Sequence, residues 1–149
     1  MKEKLLVSAC LLGTPCRYDG ESKRNDAVCA LAEKFELVPI CPEVMGGLPT
    51  PRTPSERQGA HVVMRDGRDV TAEYRLGAQR TLEIAQREGI RAAVLKERSP
   101  SCGSGEVYDG SFTGALTAGD GVTAELLKAH GIAVFGESEV QEIALGHFS

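Results

Sequence analysis

Three short apolar runs in this chain each lead into a cysteine. Leu5-Leu6-Val7-Ser8-Ala9-Cys10 is the first and Glu36-Leu37-Val38-Pro39-Ile40-Cys41 the second. The third, Ile90-Arg91-Ala92-Ala93-Val94-Leu95, continues through the loop Lys96-Glu97-Arg98-Ser99-Pro100-Ser101 to Cys102 and Gly103. Apolar runs of this length, bounded by Gly and Pro, read as buried strands. Helical patterns lie between them, and strands alternating with helices predict an α/β fold. The expectation is a single domain over 1–149, an open, mainly parallel, Rossmann-like sheet flanked by helices, with a small hairpin insertion. Right-handed crossovers put the strands' carboxyl ends on one edge, where such sheets collect ligands. The three thiols are thereby expected to converge.

The segments between follow from local chemistry. The first strand is expected over Leu5 to Ala9. Asn25 or Asp26 can cap a helix whose inner face carries Val28, Cys29, Leu31, Ala32 and Phe35. The second strand is expected over Glu36 to Cys41. Four prolines and two adjacent glycines between Pro42 and Pro54 predict a long irregular loop. A loop of that length is more often functional than not. His61 to Val70 reads as a hairpin turning at Asp66-Gly67. Thr71 can cap the next helix, which buries Tyr74, Leu76, Ala78, Leu82, Ile84 and Ala85 and stops at Gly89. Residues 103–121 read as a loop with one short hairpin. A helix over Val122 to His130, a strand over Ile132 to Phe135 and a short helix over Glu137 to Leu145 complete the chain.

Composition narrows the function classes. A net charge of −4 gives no basic footprint for extended nucleic acid. With no Trp and 5% aromatic residues, a platform for stacked bases is not expected. No apolar stretch is long enough for a bilayer, and Glu3 interrupts the basic start that a signal peptide needs, so a cytoplasmic protein is expected. Five cysteines, an odd number in a reducing compartment, argue for metal binding or catalysis over disulfides. Cys29 falls on an apolar helix face and reads as core, which leaves Cys10, Cys16, Cys41 and Cys102. Structural zinc wants four ligands, usually in paired Cys-x-x-Cys knuckles, and no such pair is present. A [4Fe–4S] cluster is normally held by four cysteines, and three would leave one iron open. Reduced thiols without metal are the third reading.

Three separated motifs in order resemble a known family. They are Ser8-Ala9-Cys10-Leu11-Leu12-Gly13 with Cys16-Arg17-Tyr18-Asp19-Gly20, then Cys41-Pro42-Glu43 with Gly46-Gly47-Leu48 and Pro51-Arg52, then Ser99-Pro100-Ser101-Cys102-Gly103. Together they resemble the small bacterial family that includes thiouracil desulfidase, over nearly the whole chain. The resemblance implies a [4Fe–4S] cluster on Cys10, Cys41 and Cys102, with Cys16 as an alternative or fourth ligand. It implies a non-redox desulfidase that exchanges the sulfur of a 2-thiouracil-like base, or related thioamide, for oxygen. Glu43, two residues after Cys41, is the candidate general acid/base. Ser101 is the candidate for orienting water or shuttling a proton, with Ser99 as its alternative and as a substrate contact. The guanidinium fork of Arg52 suits a substrate or sulfide anchor. Lys96 is expected to balance cluster charge, and Arg17, Tyr18 and Asp19 to close over the pocket. His61, His130 and His147 are read as structural. The expected partners are a small thiolated base or nucleoside and a sulfide acceptor. Two other readings stand beside this one: a non-catalytic iron–sulfur or sulfide carrier or redox sensor, and a zinc-thiolate hydrolase.

Overall fold

Every strand of the central sheet runs the same way. The computed structural model describes residues 2–145, so His147 lies outside the described residues. The sheet consists of β1 (Glu3–Ser8), β2 (Phe35–Ile40), β5 (Ala92–Leu95) and β8 (Ala133–Gly136), in the order β2-β1-β5-β8. All three pairings are parallel, with Val7 beside Pro39 on one side and Val94 on the other. The chain therefore leaves β1 toward one edge and later returns to build toward the other. In open α/β sheets the crevice at such a reversal is where ligands bind.

Side-chain alternation along β1 divides the core. Leu5 and Val7 pack on one face with Val28, Leu31, Phe35 and Ile143. Leu6 points to the opposite face, among Leu82, Ala85 and Leu127. The first face is covered by α1 (Asp26–Cys29), the 3-10 turn that follows it, and α5 (Val140–Ala144). The second is covered by α3 (Thr71–Glu88) and α4 (Val122–Ala129). β5 is buried along its whole length, as a central parallel strand should be. Among the described residues no helix is long and apolar enough to cross a membrane.

Several local expectations are corrected. Asn25 does cap α1, its Oδ1 accepting from Val28 N at 3.1 Å, but the helix ends early and Phe35 opens β2 instead of lying on the helix face. The Pro42 loop contains a helical turn, α2 (Pro42–Met45). Proline at the first helical position is favourable there, because its missing N–H is one that the helix start would leave unbonded anyway. The hairpin pairs β3 (Ser55–Gln58) with β4 (His61–Met64) and turns at Gly59-Ala60. The Asp66-Gly67 turn is real but only returns the chain to a bridge between Val63 and Asp69. Thr71 does not cap α3. Its Oγ1 accepts from Val62 N, while Asp69 Oδ1 accepts from Thr71 N. Leu76 is 42% exposed, not buried. The short hairpin between residues 103 and 121 is present as β6 (Glu106–Tyr108) and β7 (Leu116–Ala118).

Candidate active site

Cys10, Cys41 and Cys102 follow the carboxyl ends of β1, β2 and β5, three neighbouring strands, and line one cavity of about 740 Å3. That size is ordinary for a small-ligand site. Cys10 sits in a 3-10 turn (Ala9–Leu12) closed by Gly13 at φ 103°, and Lys23 N donates to its carbonyl. Cys41 occupies the position before α2, and Met45 N donates back to its carbonyl. Cys102 is held by Ser99, whose Oγ accepts from the amides of both Ser101 and Cys102 at 3.1 Å. Cys16 also lines the cavity, and Cys41 Sγ donates to its carbonyl at 3.9 Å. All five cysteines are free.

The surroundings of Cys102, Cys41 and Cys16 favour the protonated thiol. Burial pushes Cys102 up to about 12. Hydrogen bonding to Cys16, and then burial, push Cys41 far above its ordinary value. Hydrogen bonding to Cys10 raises Cys16. Among the described residues no group of three His, Cys, Asp or Glu is placed to hold a single metal ion.

Glu43, on α2, projects into the same cavity, and its carboxylate is fixed on one side only. Tyr74 Oη donates to Oε1 at 2.7 Å, and Arg52 Nε and Nη2 reach the same atom at 3.3 and 3.2 Å. Among the described residues nothing hydrogen-bonds to Oε2. Tyr74 is 1% exposed, and burial and the negative charge of Glu43 hold its phenol well above the usual range.

Arg52 is committed elsewhere than the sequence suggests. Nη1 donates to Pro49 O and Thr50 Oγ1, and Nη2 to Cys16 O as well as meeting Glu43. With its side chain 3% exposed and every guanidinium nitrogen engaged, it ties the Cys16 loop to Glu43 and has no fork left for a ligand. Ser101 also has a partner within the protein. It is fully buried, its Oγ shares a 2.8 Å hydrogen bond with Thr123 Oγ1, and it does not line the cavity, whereas Ser99 does. Lys96 pairs with Glu137 at 2.9 Å. Arg17 and Tyr18 line the cavity, and Asp19 pairs with Arg17 outside it. His61 pairs with Asp69 on the surface, and His130 closes α4.

Comparison with known proteins places the chain in a family. The 2-thiouracil desulfurase family model matches residues 5–139. The chain belongs to that family. It is 42% identical over 149 aligned positions to the uncharacterised protein YbbK of Bacillus subtilis (strain 168), covering 93% of this chain and 99% of the relative. A solved structure of the [4Fe–4S]-dependent thiouracil desulfidase TudS superposes with a TM-score of 0.92 at 54% identity, covering 98% of each chain.

Sequence reasoning missed three features of this family member's site. Tyr74 was legible only as a buried helix position. Glu56, a buried carboxylate at the cavity wall, sits in a strand with no motif. Gly46 and Gly77 are both sites where a Cβ would strike backbone, of Glu73 and Pro42 respectively, so they let α2 lie directly on α3. Of the adjacent glycines after Glu43, which the sequence presents as loop punctuation, Gly46 is the one that makes the close approach.

Proposed function

We propose that this chain is a desulfidase. It removes sulfur from a thiolated pyrimidine of the 2-thiouracil kind, free or as a nucleoside, and puts water's oxygen in its place without electron transfer. The observation carrying this reading is three thiols from three adjacent strand ends around a cavity that also holds a one-sidedly clamped carboxylate. The donor set suits an iron–sulfur cluster: soft sulfur atoms lining one cavity, in a fold whose switch point lies between Cys10 and Cys102. Cys10, Cys41 and Cys102 would hold a [4Fe–4S] cluster, which supplies, at an iron without a protein ligand, a Lewis acid for the thiocarbonyl sulfur. Cys16 arrives on a loop instead of a strand end and is the reserve donor.

The chain's own residues supply the rest. Tyr74 and Arg52 fix Glu43 through Oε1, which leaves Oε2 to take a proton from the attacking water. Water adds to the ring carbon and Glu43 hands the proton it took to sulfur; the carbon–sulfur bond then breaks, the added hydroxyl gives its remaining proton to Glu43 as the carbonyl forms, hydrosulfide leaves for a downstream acceptor, and Glu43 returns that last proton to solvent. Ser99 Oγ uses its lone pairs on two amides, so its O–H is the group left to donate into the cavity. That supports Ser99 over Ser101 as the hydroxyl facing substrate. Free thiols throughout, and an iron open to solvent, suit a reducing, cytoplasmic setting.

The test is anaerobic reconstitution. Iron and sulfide are each expected near about four per chain, with 2-thiouracil converted to uracil. Cys10→Ala, Cys41→Ala and Cys102→Ala should lose iron, and Cys16→Ala should keep it. Glu43→Gln should keep the iron and lose turnover by about 100-fold or more. A loaded protein inert to thiolated bases would indicate a carrier; zinc in place of iron, or unchanged turnover by Glu43→Gln, would sink the mechanism.

A further inference from the structure

Among the described residues two non-glycine residues take up a left-handed backbone, Arg98 at φ 67° and Phe112 at φ 59°. Both line the cavity. The conformation is costly for a side chain as bulky as phenylalanine and persists only where surrounding structure enforces it. The enforcing group is Glu56 on β3, only 8% exposed. Its Oε1 accepts from Gly110 N at 2.9 Å and from Phe112 N at 3.1 Å. Gln58 Nε2, two residues along the same strand, donates to Gly110 O at 2.9 Å. Gly110 itself is at φ 93°, with no room for a Cβ against Gln58. β3 thus grips the tip of the β6–β7 hairpin at three points. The guanidinium of Arg65 stands 5.8 Å from the centre of the Phe112 ring. Burying a carboxylate to hold a surface loop in a strained shape is unfavourable unless the loop's position matters.

We infer that Phe112 is the surface on which the substrate's flat heterocycle stacks, and that Glu56 is the latch that positions it. The inference rests on the desulfidase reading and assigns the residues that position its substrate ring. Stacking fixes the plane of the ring while its polar edge is left to the cavity's hydrogen-bonding groups. This is the restriction a hydrolytic attack from one side requires. Arg65 lies over the ring as a cation on a π face.

The test uses cluster-loaded protein and equilibrium dialysis with two probes, uracil and 5,6-dihydrouracil. They share a hydrogen-bonding edge, and only the first is flat and aromatic. Wild type should hold uracil about tenfold or more tighter than dihydrouracil. Phe112→Leu should abolish that preference and raise the KM for 2-thiouracil with little change in kcat, and Phe112→Trp should restore the preference. Glu56→Ala should reproduce Phe112→Leu, and the double variant should be no worse than either alone. Glu56→Gln, whose amide oxygen can still accept from both amides, should rescue. Iron content and thermal melting confirm that each variant is loaded and folded. Equal binding of the two probes by wild type, or a preference untouched by Phe112→Leu, overturns the inference. If wild type prefers uracil yet leaves 2-thiouracil intact, the stacking surface stands and the desulfidase reading falls.

Discussion

One hydroxyl oxygen closes the Cys102 loop. Ser99 Oγ accepts two backbone amides that would otherwise be unpaired, and Gly103 N adds a bond to the Ser99 carbonyl. Ser99→Ala should therefore cost about 1–3 kcal/mol from the freed amides and lower turnover as well. Ser101→Ala removes a hydroxyl bonded to Thr123 in the core, so it should lower the melting temperature and leave turnover per folded molecule intact. Thermal melting and kcat measured together separate the two; loss of turnover in Ser101→Ala alone would reverse the roles. The sequence favours Ser101, which adjoins Cys102, with Ser99 as its alternative. Their orientation depends on how the loop meets α4, whose first amides bond back to Pro100 and Ser101.

At the scale of elements, the docking of α2 on α3 decides where Glu43 stands. Gly46 faces the backbone of Glu73 and Gly77 that of Pro42, leaving no space for a methyl group at either contact. Gly46→Ala or Gly77→Ala should force the two helices apart at a cost of about 1–3 kcal/mol. Turnover should fall further than that loss of stability accounts for, because Glu43 moves relative to the thiols; turnover that tracks the folded fraction alone would refute this. The start of α3 carries a pH dependence. Thr71 donates to Asp69, and His61 adds to the effect, so the carboxyl is held below its ordinary 3.8. A lowered folded value means that the contribution is present above the ordinary value and is lost as pH falls through the folded one. Asp69→Asn should melt below wild type at neutral pH, and the gap should close in urea titrations taken below pH 3.8. A constant gap would rule out the charged form as its source.

At the scale of the molecule, three strands supply one ligand each to the proposed cluster, so loading ties together segments far apart in the chain. Loading should stabilise the fold by mass action, by about 4 kcal/mol at a thousandfold excess over the dissociation constant, which corresponds to about 10 °C in a domain of this size. A melting temperature indifferent to iron would argue that the strand ends do not share a ligand. What the sequence by itself determined was local: three apolar runs, the helices between them, the Gly89 stop and the three cysteines at strand ends. These are legible because period, caps and turn chemistry act within a few residues. Only the tertiary structure decided what each polar group is occupied with. Tyr74 meets Glu43 across 31 residues and Phe112 meets Glu56 across 56. Arg52 gave every guanidinium nitrogen to protein partners, and Ser101 turned its hydroxyl into the core. A donor's availability depends on which distant acceptors the fold brings to it, and no pattern along the chain encodes that.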